Sequence, residues 1–354
     1  MLATAGIILV FGLIMLSSAT SVYSYNKYGD NYYLFKHQLF GVVLGLFCFW
    51  FFSFIDYHIW KRFAPMLLFL SIVLLVLVFI PGLAGGWGTA KSWINVFGFS
   101  LQPSEFVKIF FLLYLAAWVD SRERVLQDFR HGTMPFLIVL GIIAVLMLMQ
   151  PDFGTLAIII AASMVVYFIS GGSLKHILIL ILVGAFGIFL MAKLHVHQID
   201  RFKCFIDTSY STNKECYQLN QALIAIGSGG FQGRGLGQSR QKFLYLPEVG
   251  GDAIFPIIAE ETGFIFAGGV IVLFVVFFYR CYKISLSSLD NYGRIVTIGL
   301  SSWLVLQATI NIGGMLAVIP MTGVPLPFVS YGGTSIIATL WALGILTNIS
   351  KQTR

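Results

Sequence analysis

The chain has 354 residues, of which 58% are apolar and 10% charged, with a net charge of +7 and a mean hydropathy of +0.88. A water-soluble globule has about 45–50% apolar and about 25% charged residues, so that class is excluded. The basic excess is spread over loops with no arginine-rich helix or reader motif, which argues against nucleic acid and for anionic lipid headgroups as partners.

Crossing a bilayer takes roughly 17–25 mostly apolar residues. Runs of that kind centre on Ile7–Ser18, Leu39–Phe54, Met66–Ile80, Val107–Val119, Phe136–Met149, Leu156–Ile169 and Ile177–Met191, then on Ile254–Phe278, Ile295–Met315 and Val329–Ile345. Backbone groups in lipid must be satisfied internally, so these runs predict an all-α integral membrane protein of about ten transmembrane helices. Met1–Ala19 reads as the first span rather than a cleaved signal, because no positive charge precedes its apolar run and further spans follow. Residues 1–354 are expected to form a single polytopic domain, with a large external loop over 194–253 between the seventh and eighth spans. Lys61, Arg62, Arg122, Arg124, Arg130, Lys175, Arg280, Lys283, Arg294, Lys351 and Arg354 then share one side, which the positive-inside rule assigns to the cytoplasm together with both termini. Of four cysteines, Cys204 and Cys216 share the external loop and can form a disulfide there, whereas Cys48 and Cys281 lie in or beside spans.

Ionisable groups at membrane depth are expensive and point to function. Gln102-Pro103-Ser104-Glu105 opens the fourth span, and Lys108 follows Glu105 at i+3, so the two can neutralise each other. They serve either as an ion pair holding a helix end or as a charged pair in a cavity, with the lysine open to a phosphate. Asp152 in Gln150-Pro151-Asp152-Phe153-Gly154-Thr155 reads as a turn or cap residue. The stretch Gly227 to Gly237 is dense in glycine without a dinucleotide or P-loop pattern. It is a flexible loop or, with Arg234, Arg240 and Lys242, a pyrophosphate-binding one. Asp252 closes Leu246-Pro247-Glu248-Val249-Gly250-Gly251 just before a long apolar run, where desolvation raises a carboxylate towards a useful base; the alternative is a helix cap. Glu260 and Glu261 lie inside that run and need partners or a cavity. Ser330 sits in the Pro- and Gly-rich entry to the last span, which either lines a cavity or allows close packing.

Together these segments resemble the SEDS family of cell-wall polymerases, which includes FtsW, RodA and SpoVE. The motifs carrying the resemblance are Lys91-Ser92-Trp93-Ile94, Gln102-Pro103-Ser104-Glu105, Gln150 to Thr155, Ala225 to Gly230, Tyr245-Leu246-Pro247-Glu248 with Asp252, Ala259-Glu260-Glu261 and Ser330-Tyr331-Gly332-Gly333. The resemblance implies a peptidoglycan glycosyltransferase that polymerises lipid II with inversion, working with a class B penicillin-binding protein and other division proteins in the bacterial cytoplasmic membrane. Asp252 matches the family's essential external-loop aspartate, and Glu105 and Lys108 match its charged cavity pair. Lys91, Trp93, Gln102, Ser104, Arg234, Arg240, Lys242, Glu248 and Ser330 are the further candidates for substrate binding or the cavity. Gly250-Gly251 stands where many relatives have His-Thr, and Gln238-Ser239-Arg240-Gln241-Lys242 reads closer to the division branch, FtsW, than to RodA. A divalent cation, Mg or Mn, or one of the basic side chains would stabilise the departing pyrophosphate. A lipid II flippase and an elongation-type polymerase are the alternatives; a flippase would need polar groups continuing across the midplane.

Overall fold

The computed structural model describes residues 1–81, 84–87, 90–96, 99–176, 178, 184, 201, 203–207 and 214–353. Its helices are α1 (Leu2–Tyr28), α2 (Tyr33–Phe52), α3 (His58–Arg62), α4 (Ala64–Leu77), α5 (Pro103–Ser121), α6 (Met134–Met149), α7 (Phe153–Ile169), α8 (Lys214–Gly229), α9 (Ile254–Leu286), α10 (Asn291–Met315) and α11 (Gly333–Gln352). Among the described residues, six stretches are long and apolar enough to cross a membrane: α1, α2, Phe129–Met149, α9, α10 and α11, with α4 and α7 as shorter apolar helices. Each expected run meets a helix except Ile177–Met191, which lies largely outside the described residues. The last helix begins at Gly333 rather than Val329, because Pro325 and Pro327 keep the preceding segment extended and turned. The chain is thus an all-α membrane protein, as its composition demands.

One element departs from that plan. β1 (Ala84–Trp87), β2 (Ala90–Val96) and β3 (Phe99–Leu101) form a small antiparallel sheet in the order β1-β2-β3. Ala84 faces Ile94 and Asn95 faces Ser100. Ser92-Trp93-Ile94 therefore belongs to a central strand, with Ser92 and Ile94 buried and Trp93 half-buried.

Two compact units arise from discontinuous segments. The first comprises Met1–Gly41, Val183–Phe277 and Gln307–Gly332. In it α1 buries Ala5, Ile8, Gly12, Met15, Leu16 and Ala19 on one stripe, while Ile7, Val10 and Ile14 face outward. A Cβ on Gly12 would lie 2.7 Å from the Val329 backbone, so the glycine sets how closely α1 approaches that segment. α9 breaks at Gly263, whose φ of 76° lies in the left-handed region. The second unit comprises Val42–Leu182, Phe278–Leu306 and Gly333–Arg354. Its core holds Phe111, Phe136, Tyr167 and Trp303, and Gly344 of α11 lets the Phe49 backbone of α2 come within contact.

Candidate functional site

In the first unit, Asp252 sits in the turn that delivers the chain into α9. Glu248 takes a φ of 53° and its carbonyl accepts from the Gly251 and Ala253 amides at 2.9 and 3.2 Å, which coils the chain tightly around the aspartate. The carboxylate is half-buried. Its Oδ1 accepts a hydrogen bond from Gln218 Nε2 on α8 at 3.3 Å, and its main-chain carbonyl accepts from Asn311 Nδ2 on α10 at 2.8 Å. Asn311 Nδ2 also donates to the Val324 carbonyl at 2.8 Å, tying the turn to the 320–332 segment. Gly323 lies beside Oδ2, with a φ of 73° in the left-handed region that favours glycine.

Burial pushes Asp252 up to about 6, and the Glu248 carboxylate adds to the rise; Arg201 and Gln218 act in the opposite sense. Arg201 Nε, Asn311 Oδ1 and Thr322 Oγ1 are buried without a hydrogen-bond partner among the described residues. Such orphans are costly, so around a carboxylate they mark places where a polyhydroxylated or anionic ligand completes the network. Gly250 has its would-be Cβ 2.5 Å from Thr20 Cγ2 of α1. The helix occupies the room that a larger side chain would take.

Glu248 itself is exposed. Ser330 is buried, and its Oγ accepts from the Leu326 amide at 2.8 Å. The Ser330 carbonyl accepts from Gln38 Nε2 at 3.1 Å, and the neighbouring Tyr331 amide donates to the Gly250 carbonyl at 2.6 Å. Ser330 thus shapes the loop that braces the Asp252 turn.

The glycine-rich loop folds against α9. Arg234 and Gly235 amides donate to the carbonyls of Glu260 and Glu261 at 2.9 and 3.0 Å, and a Cβ on Gly233 or Gly263 would lie 2.3 Å from the opposing backbone. The two buried carboxylates of α9 take up the loop's donors. Glu261 accepts from Ser18 Oγ at 2.8 Å, the Gly237 and Ser239 amides at 3.0 and 3.3 Å, and Lys242 Nζ at 2.9 Å. Glu260 accepts from Ser239 Oγ at 2.5 Å and the Arg240 and Gln241 amides at 3.0 and 3.3 Å, with Arg234 Nε 3.8 Å away. Lys242 is buried, and its ammonium also meets Ser18 Oγ and the Gly237 carbonyl. The exposed cations of this loop are Arg234 and Arg240.

In the second unit, Lys108 Nζ lies 2.8 Å from Glu105 Oε1 with both side chains 1% exposed, and 4.9 Å from the Trp303 ring centroid. Glu105 Oε2 is buried without a hydrogen-bond partner among the described residues. Proline at the first turn of α5 pre-sets the helix entry, and Glu105 falls in that turn, where the helix dipole favours it. Asp152 caps α7, accepting the Thr155 amide at Oδ1 (3.1 Å), while Oδ2 accepts from Gln102 Nε2 at 3.3 Å and Ser104 Oγ at 3.4 Å. Burial raises Asp152, with Lys108 opposing the shift. Gln102 and Ser104 are therefore joined to Asp152. Trp93 stands on β2, and the Lys91 side chain lies outside the described residues.

Sequence reasoning missed Arg201, Gln218, Asn311, Gln38 and Trp303. Amides and a lone tryptophan in apolar runs carry no chemical signature, although Gln218 and Arg201 do flank Asp252's own loop.

The cell cycle protein model of FtsW, RodA and SpoVE matches residues 1–354. Stage V sporulation protein E of Bacillus subtilis (strain 168) is 36% identical over 98% of this chain and 95% of its own length. The probable peptidoglycan glycosyltransferases FtsW of Geobacter sp. (strain M18) and Trichlorobacter lovleyi are 33% and 37% identical, covering 100% and 96% of this chain and 96% and 89% of theirs. The fold is shared with a chain of a solved peptidoglycan synthase complex (TM-score 0.81) and with the rod shape determining protein RodA of Thermus thermophilus (0.73), each 24% identical over 99% of this chain and 96% of that one. With its whole length matched, this chain belongs to the FtsW, RodA and SpoVE family.

Proposed function

We propose that the chain is a peptidoglycan glycosyltransferase that polymerises lipid II, with Asp252 as its general base. The observation that carries the residue assignment is a half-buried carboxylate raised to about 6 and surrounded by buried polar atoms lacking partners. The Asp252 carboxylate takes the proton of the acceptor's 4-hydroxyl as that oxygen attacks the anomeric carbon of the donor sugar from the face opposite the leaving group. A β-1,4 bond forms with inversion as the bond from the anomeric carbon to the lipid pyrophosphate oxygen breaks. A base near 6 is mostly ionised at neutral pH and still basic enough to share a proton in the transition state. Arg201, Arg234 and Arg240 supply candidate cations for the pyrophosphate.

Among the described residues no group of three metal-ligating side chains occurs. Magnesium needs only one or two carboxylates when phosphate oxygens and water complete its shell, and Asp252 with Glu248 offers that pair. When bound, such an ion supplies Lewis-acid stabilisation of the leaving pyrophosphate.

On this proposal the chain works in the bacterial cytoplasmic membrane with both termini inside, a reading supported by its loop charges, and acts in division beside a class B penicillin-binding protein. The relatives named FtsW favour division over elongation. The deciding experiment is polymerisation of purified lipid II by the purified chain, with and without its transpeptidase. Glycan strands are expected, and strands from the wild type but none from Asp252→Asn would support both activity and base. A protein that moves lipid II across vesicles without ever extending it would overturn the reading in favour of a flippase.

A further inference from the structure

A cleft of about 250 Å³ opens between the last turns of α1 and the loop that leads into the Asp252 turn, wholly within the first unit. Leu246 and Val249 are its buried lining, Tyr23 of α1 is half-buried beside it, and Leu244, Pro247 and Glu248 are exposed. Leu244 and Glu248 take φ values of 67° and 53°, a region that residues with a Cβ rarely adopt, and each turns the loop sharply. The cleft adjoins the proposed base. Glu248 Oε2 lies 3.4 Å from the position of a Cβ on Gly251, the residue before Asp252.

The polar groups of the lining decide what it can hold. Lys242, the cation among them, spends its ammonium on Glu261, Ser18 and the Gly237 carbonyl. The cleft therefore offers a carboxylate and a phenol rather than a positive charge, which disfavours a pyrophosphate and suits a neutral, polyhydroxylated ring. The Tyr23 hydroxyl accepts from Lys27 Nζ at 3.2 Å, which strengthens it as a donor in turn. A sugar ring has an apolar C–H face that meets the negative face of an aromatic ring, and Leu246 and Val249 add apolar surface below it. The volume is under the roughly 300–1,000 Å³ of sites for drug-sized ligands, so the cleft takes one ring and not a chain of them. Resting on the polymerase reading, we propose that this cleft is a sugar subsite: it takes one neutral N-acetylhexosamine ring of the growing strand, beside the ring that reacts at Asp252, with Tyr23 against its C–H face and Glu248 accepting from its hydroxyl or amide.

The test uses the full chain in detergent and the soluble β-1,4-linked tetramer of N-acetylglucosamine, with binding read by saturation-transfer NMR as the tetramer is titrated. Transfer to the tetramer's ring protons is expected in the wild type. Binding should weaken about fivefold or more in Tyr23→Ala, as for truncation of a tyrosine anchor, and return in Tyr23→Trp, which restores an aromatic face. With lipid II as substrate, Tyr23→Ala should also release shorter strands, read by gel electrophoresis, because the strand is held less firmly between additions. No transfer from the wild type, or equal binding by wild type and Tyr23→Ala, would make Tyr23 an ordinary aromatic of the membrane interface and overturn the proposal. Strands of wild-type length from Tyr23→Ala would overturn it as well. If Tyr23→Ala fails to fold, the exposed Glu248→Ala decides by the same titration. Should the wild type bind the tetramer through Tyr23 and yet not polymerise lipid II, the polymerase reading fails and the cleft stands as a glycan site.

Discussion

On the proposed mechanism Asp252 is held between two demands, a chain turn that half-buries it and a reaction that needs it charged. Asparagine keeps the shape and the contact to Gln218 while removing basicity, so Asp252→Asn is expected to fold and to lose polymerisation by about a hundredfold or more. The same change should raise thermal stability. Because the carboxyl is raised from 3.8 to about 6 in the fold, the folded state binds its proton more tightly than the unfolded chain does. Asp252 therefore favours folding below pH 3.8, and that contribution is lost as pH rises from 3.8 through about 6. The stability gain of Asp252→Asn should accordingly be present at pH 7 and vanish near pH 4, measured as a melting-temperature difference; a loss of stability at pH 7 would make Asp252 a helix cap. The wild-type rate should fall about tenfold per unit below pH 6, and an acid limb centred near pH 4 would remove the raised carboxyl from the mechanism. The aspartate was legible in the sequence because a charge abutting a long apolar run is conspicuous. Its partners Gln218 and Asn311 were not, since an amide becomes informative only once the fold aims it.

At the scale of elements, the loop from Gly227 to Lys242 and the first half of α9 form one interlocked piece. A pyrophosphate-binding loop and a structural one look alike in sequence, because both need glycine, backbone donors and cations. The structure directs the amides of Gly237, Ser239, Arg240 and Gln241 to Glu260 and Glu261, so those donors serve the protein's own carboxylates. Lys242→Met strands Glu261 as a buried charge and should cost about 3–5 kcal/mol, seen as a lowered melting temperature in detergent. Lys242→Met with Glu261→Gln should recover much of that loss, because the unpaired charge is then gone; an unchanged melting temperature in the single variant would show that the pair is not holding the loop. The break at Gly263 was invisible beforehand, since apolar residues continue through it and only the close approach of Gly233 requires it. Likewise β1 to β3 are short and carry too little alternation to be told from a loop.

For the whole molecule, composition alone established the bilayer as solvent, because apolar side chains on helices have nowhere else to face. Phe264, Ile265, Phe266, Val272 and Val275 of α9 are all exposed, as are Ile138, Ile142 and Val145 of α6. The division into two compact units left no trace in the sequence, since each is assembled from three separated segments and such contacts have no local periodicity. Sidedness, in contrast, follows from charge. If about ten spans alternate, the short loops with Lys61 and Arg62, with Arg122, Arg124 and Arg130, and with Arg280, Lys283 and Arg294 share one face, and retaining cations on the cytoplasmic side makes it the inner one. The basic segment with Arg234 and Arg240 then faces outward, as a base acting on an externally presented lipid-linked sugar requires. Arg240 is exposed, so a cysteine placed there, with Cys48 and Cys281 changed to serine, is open to a membrane-impermeant maleimide. Labelling of intact spheroplasts is expected at position 240 and not at a cysteine replacing Arg124 until the membrane is permeabilised. The reverse pattern would put Asp252 on the cytoplasmic face, where polymerised glycan could not be delivered to the wall, and would sink the orientation together with the reaction assigned to it.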